Sequence, residues 1–279
     1  MKMFIAGILE KISGSPKVQK FLDGSLVKAS NYYQRHRMPT FAGPEAGRYA
    51  TMYAELAKDL TVRSGPFKGM KYPAAEAAGS ALTPKLLGSY ECELHPLIER
   101  LIARGYDDVI DVGCAEGYYA TGMAMRLPQA RVHAYDTSET ARALCSAMVK
   151  LNGVAGRVSI QTTCTPETLI TFPKPGRTLV IVDCESYEKV LFTPSVCDAL
   201  KGCDVLIEMH DFLDVTISTE LEALFAVTHQ LTNVLSTDDI QKAKHYQYPE
   251  LEGLSVRARF QLLAEGRPMI MEWLLAEAR

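Results

Sequence analysis

From Asp108 onward the chain alternates short runs of β-branched and aliphatic residues with longer amphipathic stretches. The runs at about 108 to 113, 131 to 136, 158 to 163, 178 to 183 and 204 to 209 predict strands. Between them, stretches near 117 to 127, 138 to 151, 166 to 170 and 193 to 200 predict helices. Such alternation favours a mostly parallel sheet covered by helices on both faces, a doubly wound α/β architecture. The last third changes character: a helix near 216 to 225, a strand from His229 to Ser236, a helix at 253 to 264, and a terminal strand from Met269 to Ala276 that carries the single tryptophan, Trp273. The strand count expected is seven.

The first part of the chain reads differently. Residues 1 to 60 form an expected helical N-terminal extension, with Ile5, Ile8, Leu9 and Ile12, and later Tyr49, Met52, Tyr53 and Leu56, at helical spacing. Its expected roles are core packing, a cap over the substrate mouth or a dimer arm. Tyr32, Tyr33 and His36 stand between the two stripes in a polar, aromatic stretch and are candidate substrate contacts. Residues 61 to 279 form the expected main domain. It opens on Val62 to Tyr72, read as short strands with a turn, and on a helix from about Ser89 to Arg104.

Composition narrows the partners more than the fold. A chain of 279 residues with 47% hydrophobic and 23% charged positions is an ordinary globular protein. A net charge of −3 and the lack of a Lys/Arg-rich run give no electrostatic case for nucleic acid or an anionic membrane, so a small-molecule substrate is preferred. The apolar run Phe4 to Leu9 is too short for a signal-peptide core or a membrane span. Seven scattered cysteines without a CxxC pair read as reduced core thiols in a cytoplasmic protein, and a homodimer is a reasonable state.

The chemistry concentrates where the first strand breaks into a glycine turn, VIDVGCAEGYY at Val109 to Tyr119. Gly113 and Gly117 allow backbone conformations and close approaches that a side chain would hinder. Amides of Cys114, Ala115 and Tyr118, at the turn and the helix start, offer donors to a ligand. Asp136, about 20 positions beyond Gly117, is placed to accept from ribose hydroxyls, with Thr137 beside it. A turn that lacks the middle glycine of GxGxxG and carries Asp111 and Glu116 repels a pyrophosphate and suits a ligand bearing a sulfonium and an ammonium group. S-adenosyl-L-methionine is such a ligand.

On these residues the chain resembles the class I S-adenosylmethionine-dependent methyltransferases, and among them the FkbM-like group. The runs carrying the resemblance are GPFKGMKYP at Gly65 to Pro73, LLGSYECEL at Leu86 to Leu94, DVGCAEGYYATGMA at Asp111 to Ala124, AYD at Ala134 to Asp136, LNGV at Leu151 to Val154, VDCESYE at Val182 to Glu188 and IEMHDF at Ile207 to Phe212. Two departures stand out: Ala115 where family loops often have a third glycine, and Ser186 where they more usually have glycine. The resemblance implies a Rossmann-like sheet whose final strand inserts antiparallel, methyl transfer in small-molecule biosynthesis, and Glu91 and Glu93 near the methionine end of the cofactor.

Strand ends carry the remaining candidates, because ligands of a doubly wound sheet collect at the carboxyl ends of its strands. Thr165 or a backbone carbonyl is the expected adenine contact. For an acceptor hydroxyl, His210 is the expected general base and Asp183 its partner or the proton acceptor, with Glu185 and Tyr187 beside the acceptor. A divalent metal held by Asp183, Glu185, Glu188, Glu208 and His210 is the lesser reading; no metal is expected. An N-methyltransferase, another alkyl transferase using the same cofactor, a non-catalytic binding protein and a nicotinamide dehydrogenase are the competing functions.

Overall fold

The computed structural model describes residues 44–279, so the expectations for Ile5 to Ile12, Tyr32, Tyr33 and His36 lie outside the described residues. Contacts divide the chain into Met1–Ala46 and Gly47–Arg279, and the candidate site lies wholly in the second. Helix α1 (Pro44–Asp59) buries Tyr49 and Leu56 of the predicted stripe. Helices α2 (Leu82–Leu87) and α3 (His95–Arg104) precede the sheet.

The sheet is built as the alternation predicts. Its strands are β1 (Asp108–Val112), β2 (Arg131–Tyr135), β3 (Val158–Gln161), β4 (Thr178–Val182), β5 (Asp204–Met209), β6 (His229–Leu235) and β7 (Glu272–Ala278). Their order is β3-β2-β1-β4-β5-β7-β6. The first five are parallel, in a register that sets Asp111 opposite Ala134 on one side and Ile181 on the other. β7 runs antiparallel between β5 and β6. Every residue of β1, β4 and β5 is buried, whereas β3 at the edge alternates half-buried and exposed positions. Uniform burial is what helices on both faces impose.

Between the strands lie α4 (Tyr118–Arg126), α5 (Glu139–Leu151), α6 (Pro166–Thr171), α7 (Glu188–Leu191), α8 (Pro194–Ala199), α9 (Ile217–Phe225), α10 (Asp239–His245) and α11 (Val256–Leu263). Side chains of Ser138, Thr165, Thr193, Asp238 and Ser255 accept from amides one turn on and so fix the starts of α5, α6, α8, α10 and α11. Among the described residues no helix is long and apolar enough to cross a membrane. All seven cysteines are free.

Two local expectations are corrected. Val62 to Tyr72 forms no strand; a single antiparallel bridge, Thr61 to Lys71, closes it, because Gly65 and Gly69 take left-handed conformations and make a tight loop. That loop delivers Phe67 onto Gly122 of α4, where an added Cβ would come within 2.4 Å of the ring. The helix expected from Ser89 is broken as well. Glu91 is left-handed, with φ 48°, and a single 3-10 turn, Cys92–Leu94, precedes α3. The short helices α2, α7 and α10 were not foreseen, and β7 begins three residues later than its apolar run, where pairing with Met209 starts.

Candidate active site

Strand order reverses between β1 and β4, and there the glycine turn meets the loop after β4. Gly113, at φ 85°, accepts no side chain: a Cβ would lie 1.7 Å from the Asp183 carbonyl oxygen. Its amide and that of Cys114 donate to the Tyr135 carbonyl at 2.8 and 3.0 Å, which ties the turn to the end of β2. Ala115 is left-handed, with φ 48°, as a glycine would be, and its amide donates to Asp136 Oδ2 at 2.9 Å. The Ser138 amide donates to Asp136 Oδ1 at 2.8 Å. Asp136 is thereby fixed beside the turn with acceptor capacity left for a ligand. Thr137 next to it is exposed.

The two acids of the turn behave differently. Glu116 is buried and turned to α2 and the segment before it: Lys85 Nζ donates to its Oε1 at 2.5 Å, Tyr72 OH to the same oxygen at 3.3 Å, and the Ala78 amide to Oε2 at 3.0 Å. Paired with Lys85, it is not the free negative charge toward a ligand that the sequence reading expects. Asp111 keeps a buried oxygen without a partner. Burial, aided by the charges of Asp136 and Glu116 and opposed by the Ala120 backbone bond, pushes its pKa up to about 7.

Other expected contacts are placed as follows. Cys114 and Tyr118 are buried, and the Tyr118 ring packs edge-on against Phe67 and Tyr90. Thr165 is the N-cap of α6, its hydroxyl bonded to the Thr168 amide. Glu91 is enclosed; its Oε1 accepts from Arg267 at 2.9 Å and its Oε2 from Tyr119 OH. Burial, against the pull of Arg267, raises the Glu91 pKa to about 7.

His210 follows β5 and is 2% exposed. Its Nδ1 lies 2.8 Å from Glu188 Oε1, while Nε2 is 3.4 Å from Asp183 Oδ1 and 3.7 Å from both Glu185 Oε2 and Glu208 Oε2. Burial lowers its pKa, but the bond to Glu188 and the surrounding carboxylates outweigh that and raise it. Asp183 is shifted well upward by desolvation and by the charge and hydrogen bond of Glu208. Asp183, Glu185 and His210 thus bring one donor atom each within 4.8 Å of one another. The other two acids weighed for a metal are already engaged, Glu188 by His210 and the Cys184 amide, Glu208 by Arg267. Tyr187, half-buried, precedes α7.

Glu185 and Ser186 both have positive φ, 55° and 76°. For residues other than glycine this costs roughly 1–2 kcal/mol each. The departure at Ser186 is therefore strain at the position that a glycine fits best. Ser186→Gly is expected to raise stability by about 0.5–1 kcal/mol in urea titration; a loss instead would mean that the hydroxyl stabilises the loop more than the strain costs.

Arg267 carries no motif in the sequence. It sits in the connection before β7 and binds Glu91, Glu208 and Glu265, with Lys242 on the far side of Glu265. Only an arginine following an apolar helix marked it, which is too common a pattern to carry meaning.

No family model matches the chain, and no curated protein sequence matches it. Among solved structures it is similar to the O-methyltransferase from Bacillus cereus in complex with SAH, at 12% identity and a TM-score of 0.46, covering 92% of this chain and 99% of that one. It is also similar to the O-methyltransferase TomG from Streptomyces achromogenes, involved in tomaymycin synthesis and solved with SAM, at 13% identity and a TM-score of 0.42, covering 90% and 96%.

Proposed function

We propose that the protein is an S-adenosyl-L-methionine-dependent methyltransferase that methylates a hydroxyl of a small natural product or sugar-like acceptor. The observation that carries the reading is the Asp136 carboxylate, held by the Ala115 and Ser138 amides beside the turn from Gly113 to Gly117. That is a ribose acceptor next to a close-approach backbone. The Asp111 carboxyl, with one buried oxygen left without a partner, and the acids around His210 give the same opening a negative field, which favours a sulfonium over a pyrophosphate. His210 and Asp183 stand at the ends of adjacent strands and are the groups that ready the acceptor hydroxyl.

Methyl transfer is an in-line displacement at a carbon already activated by positive sulfur, so alignment in a dry site supplies much of the rate. The FkbM-like runs from Gly65 to Phe212 support placement in that group. Free cysteines fit a cytoplasmic location, and a second copy of the chain is the proposed partner.

The test is calorimetric titration of S-adenosylhomocysteine. Asp136→Ala is expected to weaken binding by about 10- to 100-fold, as loss of a charged acceptor to two hydroxyls costs about 1.5–3 kcal/mol. Binding of NAD with no binding of S-adenosylhomocysteine would overturn the proposal.

A further inference from the structure

We propose that Glu188 is a positioning residue for His210, holding the imidazole by Nδ1 so that Nε2 is the bare nitrogen turned toward the acceptor. The role rests on the methyltransferase reading for the identity of that acceptor; the contact itself does not.

Glu188 opens α7 and is 0% exposed. Its Oε1 accepts from His210 Nδ1 at 2.8 Å and from the Cys184 amide at 3.1 Å, while Oε2 has no partner. An enclosed carboxylate with an orphan oxygen is a poor structural device, since a neutral or apolar side chain would avoid the desolvation cost. It is a good device where positive charge appears and disappears on the group it touches. The strained pair Glu185 and Ser186 lies directly between β4 and the α7 start that carries Glu188 to His210.

With Nδ1–H committed to Oε1, the neutral ring carries its lone pair on Nε2. The groups facing this ring come from every neighbouring element. Glu188 approaches from α7, Asp183 and Glu185 from the loop after β4, and Glu208 from β5 itself, with Arg267 on the other Glu208 oxygen. Asp211, next in the chain, is turned to the Ser218 amide at 2.9 Å. Burial works against a charged ring, but the Glu188 bond and charge head the effects that raise its proton affinity above the ordinary value.

The step balances as follows. The acceptor oxygen loses its proton to Nε2 and forms a bond to the methyl carbon; the carbon–sulfur bond breaks, its electron pair neutralises the sulfonium, and S-adenosylhomocysteine leaves. The imidazolium stands against Glu188 until its proton passes to solvent.

Nitrogen-15 NMR of the full chain labelled at its six histidines tests this without knowing the acceptor. His210→Gln assigns the signal. In the wild type, His210 is expected to show the tautomer protonated at Nδ1 once it is neutral. Glu188→Gln is expected to lower its apparent pKa by about one unit or more, with S-adenosylhomocysteine affinity within about threefold of wild type. An unchanged pKa in Glu188→Gln, or the opposite tautomer in the wild type, would overturn the proposal. The tautomer reading needs no variant and stands even if Glu188→Gln fails to fold. Specific broadening of His210 by Mn²⁺, reversed by a chelator, would also overturn it by making Nε2 a cation ligand. If S-adenosylhomocysteine binds neither protein while the NMR result holds, the methyl-donor reading fails and the Glu188 contact survives.

Discussion

Lys85→Met is expected to lower the melting temperature by about 6–20 °C. Lys85 and Glu116 are 3% and 2% exposed, and their contact at 2.5 Å ties α2 to the glycine turn across 31 positions of chain. Removing one partner of a buried pair leaves an uncompensated charge, at a cost of about 3–5 kcal/mol. For a unit of this size each kcal/mol moves the midpoint by about 2–4 °C. The ammonium also lies 4.6 Å from the Tyr90 ring centroid and 5.2 Å from that of Tyr118, so methionine keeps the packing and removes only the charge. The control is Lys85→Met with Glu116→Gln, since replacing both partners removes the orphaned charge and should recover more than half of the loss. A single variant as stable as the wild type in differential scanning calorimetry would show that Glu116 relaxes into solvent. The turn would then not depend on α2.

That pair also shows where sequence reading stops. Asp111, Asp136, Asp183 and His210 were legible because parallel strands gather their carboxyl ends at one edge, so a strand boundary is enough to place them. That Gly113 leaves room for a close approach was legible too, but that the approaching group is the Asp183 carbonyl of the loop after β4 is seen only in the structure. Glu116 was misread because its neighbour in space, Lys85, lies in a helix too short to show periodicity. Likewise the roles of Glu188 and Arg267 are not legible: their partners, His210 for one and Glu91 and Glu208 for the other, come from segments whose mutual approach no local pattern encodes. Ser186 is the intermediate case. Its departure from glycine was visible, but only the positive φ explains what glycine would do there.

Asp111→Asn is expected to stabilise the protein above neutral pH and to weaken methyl-donor binding under the same conditions. The folded-state pKa of Asp111 is raised to about 7 from 3.8, chiefly by burial, so the ionised carboxyl opposes folding. The sign follows from linkage. Below about pH 4 the group is protonated in both states and costs nothing; between about pH 4 and 7 the unfolded state ionises first and the penalty grows; above about pH 7 it is constant. The asparagine variant should match the wild type near pH 4 and exceed it at pH 8 by on the order of 2–4 kcal/mol in urea titration. A gain that is the same at both pH values would show that packing, not charge, is responsible. An enclosed acid that destabilises the fold is a cost that a cationic ligand can offset, because the sulfonium and ammonium favour the ionised form. Binding of S-adenosylmethionine near pH 7 should therefore release a proton, visible as a calorimetric enthalpy that changes with the ionisation enthalpy of the buffer. In Asp111→Asn that dependence should shrink, and affinity at pH 8 should fall by about three- to tenfold. Buffer-independent enthalpy in the wild type would mean that Asp111 keeps its proton beneath the bound ligand, and the negative field of the site would then come from Asp136 and the carboxylates around His210.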